Sequence, residues 1–269
     1  MKKIVEKYAE LPTVIRKPLW KFWHKLLIRY DKKTEAVFMN YGFEDGETEE
    51  RPVLEVTDEI NRYCIQLYHH VVQSLDITGL DVLEVGSGRG GGAAYIARYF
   101  NPRKYTGLDI SGEVVSFCNK NFSDIDNLHF HKGVAENLPF EDESYDVLVN
   151  VESARCYTSI PRFFKEAHRV LRQGGHFLFA DMIKKDEIDE IVTNLKEQNF
   201  EIISSRDITA NVIKSLDIDH QRRLKLITER LPSFMHKSFA EFAGTKGSGR
   251  YNSFANGKIQ YWSFVLKKK

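Results

Sequence analysis

Cysteine is scarce: there are three in 269 residues, Cys64, Cys118 and Cys156, and no CxxC pair among them. A disulfide framework and a structural zinc site both need closely paired thiols, so neither is expected, and no metal is expected in the site. Charge of one sign is also lacking, because 39 Lys and Arg stand against 38 Asp and Glu. No global basic field exists to gather nucleic acid, which excludes it as an expected partner. No run approaches about 18 uncharged apolar residues, the length a membrane-crossing helix needs. The opening MKKIVEKYAELP carries charge too early and too often for a secretory signal, so a cytoplasmic protein is expected.

What is present is 42% hydrophobic and 29% charged, enough apolar side chain for a sizeable core. The even charge hides two blocks. Residues 1–34 hold ten basic against three acidic residues, and 43–59 hold eight acidic against one basic. The first block contains Leu19-Trp20-Lys21-Phe22-Trp23-His24-Lys25-Leu26-Leu27-Ile28-Arg29-Tyr30, apolar and basic residues interleaved at roughly helical spacing. Two surfaces suit such a helix: the body of the protein, or the interface of a membrane in peripheral contact.

From about residue 58 the pattern turns regular. Asp58–Leu75 reads as a helix with Asp58 as N-cap, and Asp81–Val85 as a short strand. Helices follow at 93–100, 112–122, 160–171 and 186–198. Strands alternate with them at 104–109, 128–132, 146–151, 176–180 and 200–207. Gly174-Gly175 reads as the stop of the 160–171 helix. Residues 209–243 read as helical, 244–258 as loop, and 259–266 as a last strand. This alternation means a mostly parallel sheet covered by helices on both faces, the α/β class. About 50 residues between the last two strands are long enough for a functional lid.

The strand–glycine–helix unit Leu83-Glu84-Val85-Gly86-Ser87-Gly88-Arg89-Gly90-Gly91 is the strongest chemical signal. Glycines let a ligand approach the backbone, and the helix start offers free N–H groups. Asp109 ends the next strand 23 positions after Gly86, close to the ~20-residue spacing of a ribose-hydroxyl acceptor. Glu84 separates two cofactors. It would repel the pyrophosphate of a nicotinamide dinucleotide, but it suits the ammonium of S-adenosylmethionine, held directly or through water.

These residues, with Tyr105–Ser111, Ala135–Phe140 and Val170–Gly175, resemble the motifs of class I S-adenosylmethionine-dependent methyltransferases over residues 79–181. Phe38-Met39-Asn40-Tyr41-Gly42-Phe43-Glu44-Asp45, Asn150-Val151-Glu152 and Cys156-Tyr157 are similar to the phthiotriol/phenolphthiotriol dimycocerosate O-methyltransferases and related polyketide or natural-product enzymes. The resemblance implies a Rossmann-like seven-stranded sheet with an N-terminal helical cap over 1–57, a cofactor-binding core over 58–208, a helical lid over 209–258 and a last strand over 259–269. It implies that Glu84, Gly86, Ser87, Gly88 and Gly90 hold the methionine part, with Asp109 on the ribose and Ile110 on adenine. Ala135 and Glu136 would lie along the adenine edge, Asn150 and Val151 beneath the sulfonium, and Tyr41 in a segment closing over the cofactor. Two positions depart from the family pattern: Val134 stands where an Asp often receives the adenine amine, and Arg155 where lipid enzymes often carry a His.

Methylating a hydroxyl requires removal of its proton. Glu152, after the fourth strand, is the foremost candidate base. Arg155 cannot be a base at neutral pH, but it could orient Glu152, stabilise an oxyanion or bind an acidic group. His220 and His236, in the expected lid, are further base candidates. The apolar residues of 209–243 point to a hydrophobic small-molecule acceptor, and hence to O-methylation of a lipid-like or polyketide hydroxyl. The alternatives are N- or C-methylation, or cofactor binding without turnover.

Overall fold

The computed structural model describes residues 36–46 and 51–269. The basic aromatic helix expected at 19–30 lies outside them. Seven strands form one sheet: β1 (Asp81–Val85), β2 (Lys104–Asp109), β3 (Leu128–Lys132), β4 (Tyr145–Val151), β5 (Leu171–Lys184), β6 (Phe200–Asp207) and β7 (Ile259–Lys268). Their order is β3-β2-β1-β4-β5-β7-β6, with β7 antiparallel to both neighbours and the pairs from β3 to β5 parallel. The chain leaves β1 toward β2 on one side and later returns to place β4 on the other. That makes β1/β4 the switch point, where the carboxyl ends of parallel strands open a crevice.

The two-residue strand period sets which side chains go to which face. Val82, Val147, Val149 and Leu178 join one core, and Leu83, Leu148, Phe177 and Phe179 the other. The first face is covered by α1 (Arg62–Val72), α2 (Gly91–Tyr99) and α3 (Gly112–Asn121), and the second by α4 (Ile160–Val170) and α5 (Ile188–Glu197). Phe163, Phe164, Phe177 and Phe179 pack edge-on or tilted around one another, with centroids 5.6–6.0 Å apart. Each such ring is worth about 1.5–3 kcal/mol of burial.

Four boundaries differ from the expectation. The first helix begins at Arg62, after a 3₁₀ turn at Glu59–Asn61, and ends at Val72. Asp58 caps nothing; its carboxylate accepts the Tyr99 hydroxyl at 2.8 Å. The α4 helix ends at Val170, and Leu171 is already extended and paired with Tyr145. Gly174-Gly175 therefore sit in a bulge between the Tyr145–Leu171 and Val147–His176 pairs rather than at a helix stop.

Between β6 and β7 lie α6 (Thr209–Ile218), α7 (His220–Arg230), α8 (Ser233–Phe242) and α9 (Gly249–Ala255). The last of these falls where the glycine-rich pattern reads as loop. Its two fixing points are local and tertiary: the Ser248 hydroxyl accepts the Tyr251 N–H at 3.1 Å, and Phe254 is buried edge-on against Tyr41. Replacing Ser248→Ala is expected to cost about 1 kcal/mol of stability, and Ser248→Asp to retain most of it, as read from urea unfolding midpoints.

Candidate active site

The crevice at the carboxyl ends of β1, β2 and β4 is a cavity enclosing about 1100 Å³ of empty space, counted to its open mouth. The glycine loop forms its floor. The Gly86 and Ser87 N–H groups both donate to the Leu108 carbonyl, at 2.8 and 3.0 Å, which folds the loop back over β2. Gly86 has φ +81°, and a Cβ there would lie 2.3 Å from the Ser153 hydroxyl. Only glycine admits both the backbone turn and that approach. Asp109 and Ile110 continue the wall, and Asp109 Oδ1 accepts the Ser111 N–H at 2.8 Å. Val134, Ala135 and Glu136 close the far side, where Glu136 accepts the N–H and hydroxyl of Thr158.

Glu84 does not face the cavity. It is fully buried on the α1 side of β1, and its two oxygens accept the hydroxyls of Tyr68 (2.9 Å) and Tyr105 (3.0 Å). Burial pushes its carboxyl up to about 7, against the pull of the two phenols. Gly90, Asn150 and Tyr41 also stand behind the wall rather than in it. Asn150 donates to the Val85 carbonyl at 2.8 Å and to the hydroxyls of Ser153 and Tyr157, so it fastens β4 to the glycine loop.

At the end of β4 the chain turns through Glu152 in the left-handed region, with φ +53°. A non-glycine residue there costs of order 1 kcal/mol or more and is retained only where its surroundings enforce it. Four hydrogen bonds do so. The Glu152 N–H donates to the Ala180 carbonyl (2.9 Å), and its own carbonyl accepts from Arg155 Nη1 (2.8 Å). Glu152 Oε1 accepts the Tyr41 N–H (2.8 Å) and the Tyr261 hydroxyl (3.0 Å). Glu152 Oε2 is buried with no hydrogen-bond partner among the described residues. Burial pushes this carboxyl up to about 7, although the Arg155 charge pulls it down.

Arg155 lines the cavity and pairs with Asp181, Nη1 to Oδ1 at 3.2 Å. Burial opposes its charge, but the Asp181 carboxylate together with Cys156, Tyr41 and Glu152 more than offsets that and holds it protonated. It donates to the main-chain carbonyl of Glu152, and its charge acts on the Glu152 carboxylate.

The segment 37–44 runs over the cavity. Val37, Phe38, Met39 and Asn40 line it. Arg223 of α7 holds this strap: its guanidinium donates to the carbonyls of Asn40 (3.2 Å) and Tyr41 (3.0 Å), and it pairs with Asp219 at 2.9 Å. His236 is placed elsewhere. It lies outside the cavity wall, and its Nε2 donates to the Leu231 carbonyl at 2.7 Å. His220 likewise accepts the Lys246 N–H at 3.1 Å and does not line the cavity.

Of the residues singled out from the sequence, Gly86, Ser87, Gly88, Asp109, Ile110, Ala135, Glu136, Val151, Glu152 and Arg155 therefore share one wall. Tyr68 and Asp181 are not among the residues the sequence singles out. Asp181 had a legible signal, an acid inside the apolar run from Phe177 to Ile183. Arg89 is 1% exposed, and its guanidinium lies over the Phe117 ring at 4.6 Å. The wall suits S-adenosylmethionine on the structure's own terms: Ser87 and Glu152 line it, each with a buried side-chain oxygen, Oγ and Oε2, lacking a hydrogen bond among the described residues, and Gly86 and Gly88 of the glycine loop line it beside them.

Residues 83–179 match the family described as "Methyltransferase domain". A Mycobacterium tuberculosis protein named phthiotriol/phenolphthiotriol dimycocerosates methyltransferase is 37% identical over 256 residues, spanning 95% of this chain and 94% of its own length. A fatty-acid O-methyltransferase from Mycolicibacterium smegmatis is 41% identical over 197 residues, 72% of this chain and 71% of that protein. Among solved structures, geranyl diphosphate C-methyltransferase from Streptomyces coelicolor, crystallised with S-adenosyl-L-homocysteine, superposes with a TM-score of 0.65 at 15% identity, over 92% of this chain and 98% of that one.

The raised carboxyl of Glu152 has a consequence for stability. The native group binds its proton more tightly (about 7) than an unfolded glutamate (4.5). Its contribution is therefore most favourable below the unfolded value and is lost as pH rises through 7. The stability of Glu152→Gln relative to the parent is expected to move in the variant's favour by about 2–3 kcal/mol between pH 5 and pH 8. Paired urea melts at the two pH values measure it; an unchanged difference would contradict the shift.

Proposed function

This chain belongs to the class I S-adenosylmethionine-dependent methyltransferases, and from that membership we propose that it methylates a hydroxyl oxygen of a hydrophobic, lipid-like acceptor. When bound, S-adenosylmethionine supplies a methyl group already activated as a sulfonium, so the protein's part is alignment, exclusion of water and removal of one proton. Gly86, Ser87 and Gly88 serve the methionine part, with Glu84 and Gly90 behind them, Asp109 serves the ribose, and Ile110, Ala135 and Glu136 serve the adenine. Val151 underlies the reacting end, with Asn150 and Tyr41 holding its surroundings in place.

The observation that carries the reading is Glu152, a residue of the cavity wall whose Oε2 is buried with no hydrogen bond among the described residues and whose carboxyl is pushed up to about 7. A general base works best with such a value at neutral pH. The C–O bond would form as the sulfonium S–C bond breaks, leaving S-adenosylhomocysteine, and the acceptor's hydroxyl proton would pass to Glu152 while Oε1 stays anchored by Tyr41 and Tyr261. Arg155 holds the Glu152 main chain from behind and remains charged. His236, turned to the Leu231 carbonyl, has no part in this step. The relatives are named for a dimycocerosate and for a fatty acid. That supports a lipid acceptor and transfer to oxygen over transfer to nitrogen or carbon.

The test is incubation with S-adenosylmethionine and a panel of long-chain alcohols, β-diols and fatty acids, with products read by mass spectrometry. A methyl ether from a hydrophobic alcohol is expected. Glu152→Gln should lower kcat at least about 100-fold, with S-adenosylhomocysteine affinity within about twofold of the parent. The kcat/KM of the parent should rise with pH through about 7. Undiminished turnover in Glu152→Gln would contradict the base assignment and indicate an acceptor already ionised, such as a carboxylic acid.

A further inference from the structure

The position of Glu84 leaves a gap in the account of the cofactor. An acid before the glycine loop suits an ammonium group, yet Glu84 is 0% exposed and is absent from the cavity wall. Among the described residues its hydrogen-bond partners are two phenols, and no cation pairs with it. Its nearest charged influence is Asp109, another acid. A buried carboxylate with no cation is costly, so a cation arriving from the cavity would be favoured.

Of the two phenols, Tyr68 lines the cavity and Tyr105 does not. Tyr68 reaches its place because residue 92 is glycine: a Cβ there would lie 2.0 Å from its ring. That puts the ring against the first turn of α2, directly after the glycine loop. Phe38 of the strap meets it nearly edge-on, with centroids 6.2 Å apart. The Tyr68 hydroxyl is strongly held as the protonated donor, by burial first and by Glu84 second. A phenol that donates to a carboxylate keeps acceptor capacity on its oxygen, and the donation makes that oxygen a better acceptor.

We propose that Tyr68 is the cofactor-binding residue for the ammonium group of S-adenosylmethionine, and that Glu84 is a positioning residue acting through it, with Tyr105 fixing the opposite oxygen. The inference rests on the cofactor assignment above and deepens it. It moves the amine contact from the acid of the sequence motif to a tyrosine 16 residues upstream, on α1. It also gives Gly92 a function, since the missing side chain is the space the ring occupies.

The experiment is calorimetric titration of the full chain with S-adenosylhomocysteine and with its desamino analogue, which keeps the carboxylate, thioether and nucleoside. The parent is expected to bind S-adenosylhomocysteine at least about 10-fold more tightly than the analogue, the size of a hydrogen bond to a charged group. Tyr68→Phe should remove most of that preference, weakening S-adenosylhomocysteine about 10-fold and leaving the analogue within about twofold. Glu84→Gln should do the same, and the double variant should be no worse than either single one. Equal weakening for both ligands would mean that Tyr68 only shapes the pocket, and would overturn the proposal. So would a parent that does not distinguish the ligands, a comparison that stands even where Tyr68→Phe fails to fold. A parent that binds neither ligand would instead contradict the cofactor assignment itself.

Discussion

The cavity depends on one carboxylate. Glu152 joins three pieces of chain that are far apart in sequence: the strap at Tyr41, the end of β4, and the start of β7 at Tyr261. The strap lies across the cavity with its Tyr41 N–H on the Glu152 carboxylate and its carbonyls held by Arg223, and further bonds from Asn40 to the Cys64 carbonyl and from Ser215 to the Tyr41 carbonyl tie it to the body. Arg223 in turn sits on a helix between β6 and β7 and is set by Asp219. The cover of the site is thus assembled from the N-terminal segment and the late helices together. The left-handed turn at Glu152 is held by the β5 pairing through Ala180 and by the Arg155–Asp181 pair beneath it. Remove the carboxylate and both the proton acceptor and the clasp of the strap are lost at once.

Two buried glutamates in this molecule share a carboxyl pushed to about 7, but their surroundings divide their roles. Glu84 has both oxygens occupied by phenols and no opening to the cavity, so it can act at the cavity only through a neighbour. Glu152 lines the wall itself, with one oxygen anchored and the other without a hydrogen bond among the described residues. The first arrangement fixes a charge, and the second leaves a site for a proton. Ionising either against its burial costs about 3 kcal/mol at pH 8. The four packed phenylalanines of α4 and β5 on the opposite face of the sheet, at about 1.5–3 kcal/mol each, offset that cost.

Most of the fold was legible because it rests on patterns within the chain. Strand and helix periods, the glycine loop and Asp109 each declare themselves within a few residues, and all seven strands fall where the alternation places them. What the sequence hid depends on distant contacts. The α9 helix lies among glycines and forms around Phe254, whose partner Tyr41 is more than 200 positions away. The reach of β5 back to Leu171 depends on a bulge opposite β4. In the site, Glu152 is legible as the residue that follows a buried strand, whereas Glu84 is put at the ligand as an acid before the glycine loop and Asn150 by the family resemblance. Period alone cannot tell a side chain in the wall from one behind it. Tyr68 reads as an ordinary core position of an amphipathic helix, and His236 as a lid base, until the third dimension assigns each its neighbours.

The central claim is that Glu152 carries an ionisable oxygen poised near neutrality within the cofactor cavity. The most direct measurement is a titration of that single carboxyl, by carbon-13 NMR or isotope-edited infrared, taken as the difference between the parent and Glu152→Gln with S-adenosylhomocysteine bound. The structure predicts a carboxyl that changes protonation at about pH 7. A value at or below that of an ordinary exposed glutamate would contradict it, leaving Glu152 as a clasp for the strap and nothing more.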